Sequence, residues 1–285
     1  MTATQISERI RTRMRKMSDG ARAVAEFAIT RPEDIAMLPA ARVAERLGVS
    51  ESTVTRFAVL LGYDGYPAFR KDLQNEVRRH LAPPQRLELD TGPRAAGAAS
   101  TRTVFEQDVE NVLRTERALT ARQLEHCTEL LSSARRIHVM GLRASFGLAH
   151  SLYFQLHQML GNVTLSDFSR GETFEQMRGM GVQDVFVCFS FPRHTVLAVS
   201  AMKYARSLHS KCIAITDSPL SPIAADADLL LSVHTSILDI STSLVGGHSL
   251  IHAICAEVLL RNRNRAAENL KAVEESLKIA NIHLP

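Results

Sequence analysis

Residues 40–57 read AARVAERLGVSESTVTRF, and this stretch decides how the first part of the chain folds. Ala44 is small where two helices must cross closely. Gly48 follows the first helix, where a left-handed backbone costs glycine least. Val49 plugs the core between the helices, and Ser50 is an N-cap for the next one. Val54 and Phe57, three residues apart, face inward. Together they spell a helix-turn-helix. Beside the Ser50 cap, Glu51, Ser52, Thr53, Thr55 and Arg56 are left facing outward at the start of the second helix. That is the end of a recognition helix that enters a major groove. Ser and Thr bond bases or phosphates, and Arg56 can grip guanine or phosphate. A small residue four before glycine would fit any tight helical hairpin. The full run of cap, plug, inward valine and flanking arginine points to DNA.

The surroundings agree. Just downstream, LGYDGYPAFRKDL (61–73) adds a turn and a further helix whose Arg70 and Lys71 can reach phosphates or simply be solvated. Upstream, Ile6, Ile10, Met14 and Met17 recur at helical spacing, and Val24, Phe27 and Ala28 continue in a second helix after Asp19-Gly20. Pro32 and Pro39 open further short helices from first-turn positions. No strand is evident before residue 130. Residues 1–80 hold 14 Lys+Arg against 10 Asp+Glu, and the rest holds 20 against 20, so the whole excess of +4 lies in this helical part. A basic segment beside a neutral body fits an anionic macromolecular partner, and a solvated charged face fits it equally.

Residues 82–101, APPQRLELDTGPRAAGAAST, have three prolines, two glycines and no apolar period, and read as a linker. The expected domains are therefore 1–81, helical, and 102–285. After two helices over 102–133 come short apolar runs: IHVMG (137–141), NVTLS (162–166), DVFVCFS (184–190), KCIAIT (211–216) and DLLLSV (228–233). Stretches able to form helices, 145–160, 170–180 and 194–208, separate most of them. Continuously apolar strands alternating with helices predict a parallel sheet covered on both faces. Residues 243–262 and 264–281 close the fold as helices, with Gly246-Gly247 weakening the start of the first. Cys127, Cys188, Cys212 and Cys255 form no C-x-x-C pair, and three sit in apolar runs as small hydrophobes. No stretch approaches the ~18 apolar residues of a membrane span, and RIRTRMRKM near the start precedes no apolar leader. The chain reads as cytoplasmic.

VAERLGVSESTVTRFAVLLGYDGYPAFRKDL resembles the N-terminal domain of RpiR-type bacterial transcription regulators. Their Gly-Val-Ser-x-x-Thr-Val-x-Arg-Phe helix corresponds to Gly48–Phe57, and their Leu-Gly-Tyr-x-Gly-Tyr-x-x-Phe segment to Leu61–Phe69. In that family a linker leads to a sugar isomerase (SIS) domain, a five-stranded parallel sheet sandwiched by helices, and the runs from 137 to 233 match it in order. The resemblance implies a homodimeric or homotetrameric regulator of carbohydrate metabolism. It would bind double-stranded operator DNA, with its affinity set by a phosphorylated sugar on the SIS domain.

In an open α/β sheet, ligands bind outside the carboxyl ends of strands. After IHVM comes Gly141-Leu-Arg143-Ala144-Ser145, where Ser145 is placed to cap the following helix and hold an anion beside it. SIS domains usually have Gly-x-Gly-x-Ser here, and Arg143 stands at the second glycine. After DVFVCF comes Ser190-Phe-Pro-Arg193-His194-Thr195, where SIS domains commonly read Ser-x-Ser-Gly-x-Thr. Pro192 removes one backbone donor, which Arg193 and His194 can offset by charge. A third end, at 215–222, reads as a turn that closes the fold. A dinucleotide reading of Gly141–Gly147 fails, because the pattern is Gly-x5-Gly.

Isomerisation of a sugar phosphate needs a base, usually a carboxylate, near the sugar carbon. Glu172, Glu175, His248 and His252 are available, but none sits in a motif assignable to catalysis. No metal-ligand motif is present, and His248 is kept as a ligand contact. The expectation is a regulator without catalytic residues, cofactor or metal. The alternative is a sugar-phosphate isomerase with a helical appendage.

Overall fold

The computed structural model describes residues 5–82, 84–86, 98–166, 171–238 and 241–282. They form two compact units: residues up to 86 together with 237, 238 and 241, and the remaining residues from 98 on. Most of the expected linker, residues 83 and 87–97, lies outside the described residues.

The first unit is helical: α1 (Gln5–Arg13), α2 (Asp19–Thr30), α3 (Pro32–Met37), α4 (Ala40–Leu47), α5 (Glu51–Leu60) and α6 (Tyr66–His80). Pro32 occupies the first turn of α3 as expected, whereas Pro39 stands one residue earlier, at the N-cap position of α4. Helix α2 begins at Asp19 itself, so Gly20 lies in its first turn rather than before it. A Cβ at Gly20 would stand 3.1 Å from Thr53 Cγ2 and 3.5 Å from Val49 Cγ1, so its absence lets α2 lie against the α4–α5 turn. Phe57 and Phe69, fully buried and edge to face at 5.3 Å between ring centres, hold α5 on α6. Tyr63 and Tyr66 pack on Phe69 at 5.6 and 6.0 Å. The Tyr66 hydroxyl donates to the carbonyls of Ile35 and Leu38 at 3.0 and 2.8 Å, fastening α6 to α3. The aromatic run 61–69 is therefore core.

The second unit opens with α7 (Ala98–Ala118) and α8 (Ala121–Ser133), the first starting inside the stretch read as linker. Thr120 caps α8 through a reciprocal box with Gln123. Then β1 (Ile137–Gly141), β2 (Val163–Ser166), β3 (Val185–Phe189), β4 (Lys211–Thr216) and β5 (Leu229–Ser232) form one parallel sheet in the order β2-β1-β3-β4-β5. Every strand falls within one residue of its expected run. Helices α9 (Phe146–Leu160), α10 (Thr173–Met177) and α11 (Val196–Ser207) connect them, and α12 (Val245–Arg261) and α13 (Arg263–Ile279) close the unit.

Alternation along the strands divides the core. Ile137, Val139, Val187, Phe189, Ile213, Ile215 and Leu231 face α8, α9 and α12. Met140, Phe186, Cys188, Cys212 and Ala214 face Met177, Ala201, Met202 and Ala205 of α10 and α11. All four cysteines are buried free thiols, and burial pushes each up to about 12. A two-stranded ribbon, β6 (Ser236–Leu238) with β7 (Ser241–Ser243), was not anticipated. Three-residue strands are too short for alternation to show.

Candidate functional site

The α4–α5 turn follows the local chemistry of its residues. Gly48 ends α4 at φ 64°, ψ 30°, and its N–H donates to the carbonyls of Ala44 and Glu45. Ser50 Oγ accepts from the Thr53 N–H at 3.2 Å, the expected cap, and lies 2.8 Å from both Ser52 Oγ and Thr53 Oγ1. Arg56 Nε donates to the Ser52 carbonyl at 3.2 Å, which folds the guanidinium back over the first turn of α5.

Glu51, Ser52, Thr55 and Arg56 are exposed on one side of that turn, while Val54 and Phe57 are fully buried on the other. Thr53 differs from its expected place. It is half-buried against Gly20, with its hydroxyl held by Ser50. Lys71 is exposed on α6, but Arg70 is half-buried and close enough to Tyr66 for its charge to act on that phenol. Burial is the larger influence and pushes Tyr66 up to about 12. The outward set thus contracts to Glu51, Ser52, Thr55 and Arg56, with Ser50 at the cap and Lys71 beyond.

In the second unit, strand order brings two of the expected loops together. Gly141 pairs with Phe189 in register, so 141–145 and 190–195 leave adjacent strands side by side. The chain turns from β1 towards β2 and from β3 towards β4, through α9 on one face and α11 on the other. That divergence opens a crevice at the carboxyl edge of the sheet. Gly141 is needed there, because a Cβ would stand 2.4 Å from the Ser145 carbonyl oxygen. Arg143 is exposed and holds φ 56°, the left-handed conformation suited to the glycine it replaces. Ala144 is exposed beside it.

Ser145 overturns one expectation. It lies in a 3-10 turn, Arg143–Ser145, has helical angles of φ −71°, ψ −15°, and makes no cap hydrogen bond. A cap needs an extended backbone, which the preceding turn denies it.

On the facing loop, the Ser190 N–H is spent on the Ile215 carbonyl at 3.2 Å. Its hydroxyl is 3.0 Å from His194 Nδ1. Thr195 caps α11, its Oγ1 accepting from the Ala198 N–H at 3.3 Å. Both hydroxyls are therefore engaged within the loop, and Arg193 is its exposed cation. His248 is exposed near the start of α12, which approaches α9 where Gly247 meets Leu148. His252, a turn further on, is exposed in a cavity of about 560 Å³ with Gln155, Met159 and Leu259. Glu172, just before α10, and Glu175, within it, are exposed. Among the described residues, no three His, Cys, Asp or Glu side chains cluster to hold a metal, and no helix is long and apolar enough to cross a membrane.

Residues 4–80 match the helix-turn-helix domain of the rpiR family, and residues 130–256 match the SIS domain. The chain belongs to the rpiR-type transcription regulators. This rpiR-type chain is 26% identical over 278 residues to the HTH-type transcriptional regulator HexR of Pseudomonas aeruginosa, spanning 95% of itself and 94% of that protein. Its fold is similar to the sugar isomerase domain of an RpiR transcription factor from Sphaerobacter thermophilus, with TM-score 0.58 and 26% identity over 61% of this chain and 98% of that one. Vibrio vulnificus NanR, solved in complex with ManNAc-6P, shares the fold over 97% of this chain and 99% of its own, with TM-score 0.60 and 17% identity.

Sequence reading missed a polar network. Asn111 and Thr115 of α7 bond to Ser236 and His234, and Ser243 bonds to Asp108. The partners lie more than a hundred residues apart in sequence, so no local pattern could announce them.

Proposed function

We propose that this regulator binds operator DNA through the first turn of α5, and that a sugar phosphate in the β1/β3 crevice sets the affinity. Supporting the first part is the exposed set Glu51, Ser52, Thr55 and Arg56 on a capped helix end. The single observation that carries the second is the pairing of Gly141 with Phe189, which places exposed Arg143 and Arg193 on neighbouring loops at the sheet's switch point. Two guanidiniums there suit a phosphate monoester better than a neutral sugar. The NanR protein of similar fold is solved in complex with ManNAc-6P, a compound of that class.

In this reading the protein works in the cytoplasm, beside the chromosome, as a homodimer or homotetramer, and α5 of two copies reads two half-sites. The effector acts by favouring one arrangement of the copies over another. It is sensed and not turned over. Glu172, Glu175, His248 and His252 serve as surface groups rather than as a base.

Thermal melting against a panel of hexose, pentose and amino-sugar phosphates tests this, because a ligand of the folded state raises its melting temperature. The active compound is then added to the protein on its own promoter fragment, and fluorescence anisotropy is followed. A stabilising compound that shifts DNA affinity is the expected result. Stabilisation by none, or conversion of the compound into an isomer, would overturn the sensing reading.

A further inference from the structure

The inner side of helix α7 is bonded to the rest of its unit. There Asn111 Nδ2 donates to Ser236 Oγ at 2.7 Å. Thr115 Oγ1 donates to the Asn111 carbonyl at 2.7 Å and accepts from the His234 N–H at 3.0 Å. The Ser243 hydroxyl donates to the Asp108 carboxylate. On the outer side Phe105, Val109 and Leu113 stand 67%, 60% and 42% exposed. A spacing of four residues keeps them on one stripe. One exposed apolar side chain is ordinary, but three on successive turns of a pinned helix form an uncovered face.

The charges on this stripe identify what covers it. Arg102 and Glu116, both exposed, each lie seven residues from Val109, two turns or about 10 Å to either side. Phe105 and Leu113 each lie four residues from Val109. A second copy turned by 180° about an axis through Val109 sets Arg102 against Glu116 twice, Phe105 against Leu113 twice, and Val109 against itself. A parallel pair would set like charges together. Unlike charges at equal distances from a centre are what a two-fold interface requires, since one patch must complement itself.

We propose that two copies of the chain pair antiparallel along this face, through Arg102, Phe105, Val109, Leu113 and Glu116. The proposal rests on the oligomeric reading above and gives it a surface. In the single chain Arg102 Nε bonds Glu106 at 3.0 Å with both side chains well exposed, a weak pair that leaves the guanidinium able to turn.

The test is sedimentation equilibrium on the full chain, on R102E, on E116R, on the double variant R102E/E116R, and on an equimolar mixture of the two single variants. Each single variant places like charges together twice and should dimerise at least tenfold more weakly than the parent. The double variant should recover, and the mixture should recover as a heterodimer, which no loss of folding can imitate. V109C should cross-link to itself under mild oxidation, whereas the four native cysteines are buried. If the parent is dimeric and the single variants are equally so, the surface is wrong while the dimer stands. A parent that is monomeric at concentrations saturating its operator overturns both.

Discussion

Arg143 keeps the backbone of a glycine, φ 56°, at a position where a β-carbon costs roughly 1 kcal/mol. A residue that only filled space there would be better as glycine. Arg143→Gly should therefore leave the unfolding free energy unchanged or raise it by up to about 1 kcal/mol, the strain relieved being set against the freer unfolded chain. The same variant should weaken effector binding at least tenfold by calorimetry. A variant that binds the effector undiminished would remove Arg143 from the site. Asp184 shows the opposite relation of charge to stability. Burial alone would raise its carboxyl, but Arg135 at 3.0 and 2.5 Å, the Gly181 N–H and the charge of Arg136 outweigh it and hold it below the usual carboxylate range. A depressed folded-state value means that the stabilisation is full above the unfolded carboxylate value of about 4 and is lost as pH falls through the folded one. Asp184→Asn should cost roughly 2 kcal/mol in urea unfolding at pH 7. The gap between variant and parent should narrow steadily as the pH is taken below about 4. A gap that is constant with pH would mean that the charge of Asp184 is not what stabilises the pair.

Elements were legible wherever a side-chain pattern repeats within one element. The five strands are continuous apolar runs because both faces of the sheet are covered, and each run survives into the fold with its ends moved by at most one residue. The α4–α5 turn was legible because its cap and its left-handed glycine are local devices. What stayed hidden depends on distant partners: the β6–β7 ribbon, the extension of α7 back to Ala98, and the start of α12. Gly246 and Gly247 read as weakening the start of that last helix, and both lie in its first turn. A Cβ on Gly246 would stand 2.5 Å from Thr115 Oγ1 and 3.1 Å from the His234 carbonyl oxygen, so the glycine serves the crossing of α12 and α7. Helix propensity alone predicts that Gly246→Ala stabilises by about 1 kcal/mol. Crowding of the bonded, buried Thr115 predicts a loss of about 1–3 kcal/mol, and the crowding should win. Thermal denaturation decides between them by the sign of the change. A rise in melting temperature would show that α12 can shift away from α7 without cost.

At the scale of the molecule, a regulator needs two sites whose occupancies are linked, and the two proposed here are separable sets of residues. The exposure of the proposed DNA set could be read from sequence because it follows from the helix period, apart from Thr53, which only the packing against Gly20 withdraws. The crevice set was legible in place but not in state. Sequence cannot show that Ser190 bonds His194, that Thr195 is used as a cap, or that Ser145 caps nothing, since each depends on backbone angles beyond the reach of pattern. Separable sets should give separable defects. In a dimer, Arg56→Ala removes two cations from the operator interface, so the slope of log affinity against log salt should become shallower by roughly 2. The effector should still raise its melting temperature as in the parent. The double variant Ser190→Ala with Arg193→Ala should behave in reverse, binding operator with the parent's affinity and salt slope when no effector is present, but not responding when effector is added. Because coupling is reciprocal, the parent's effector affinity must also change by the same factor when operator is bound. Effector titrations with and without a saturating promoter fragment measure that factor independently. If Arg56→Ala abolished effector binding as well, or if the two factors disagreed, two linked sites would not describe the protein, and a single shared surface would have to replace them.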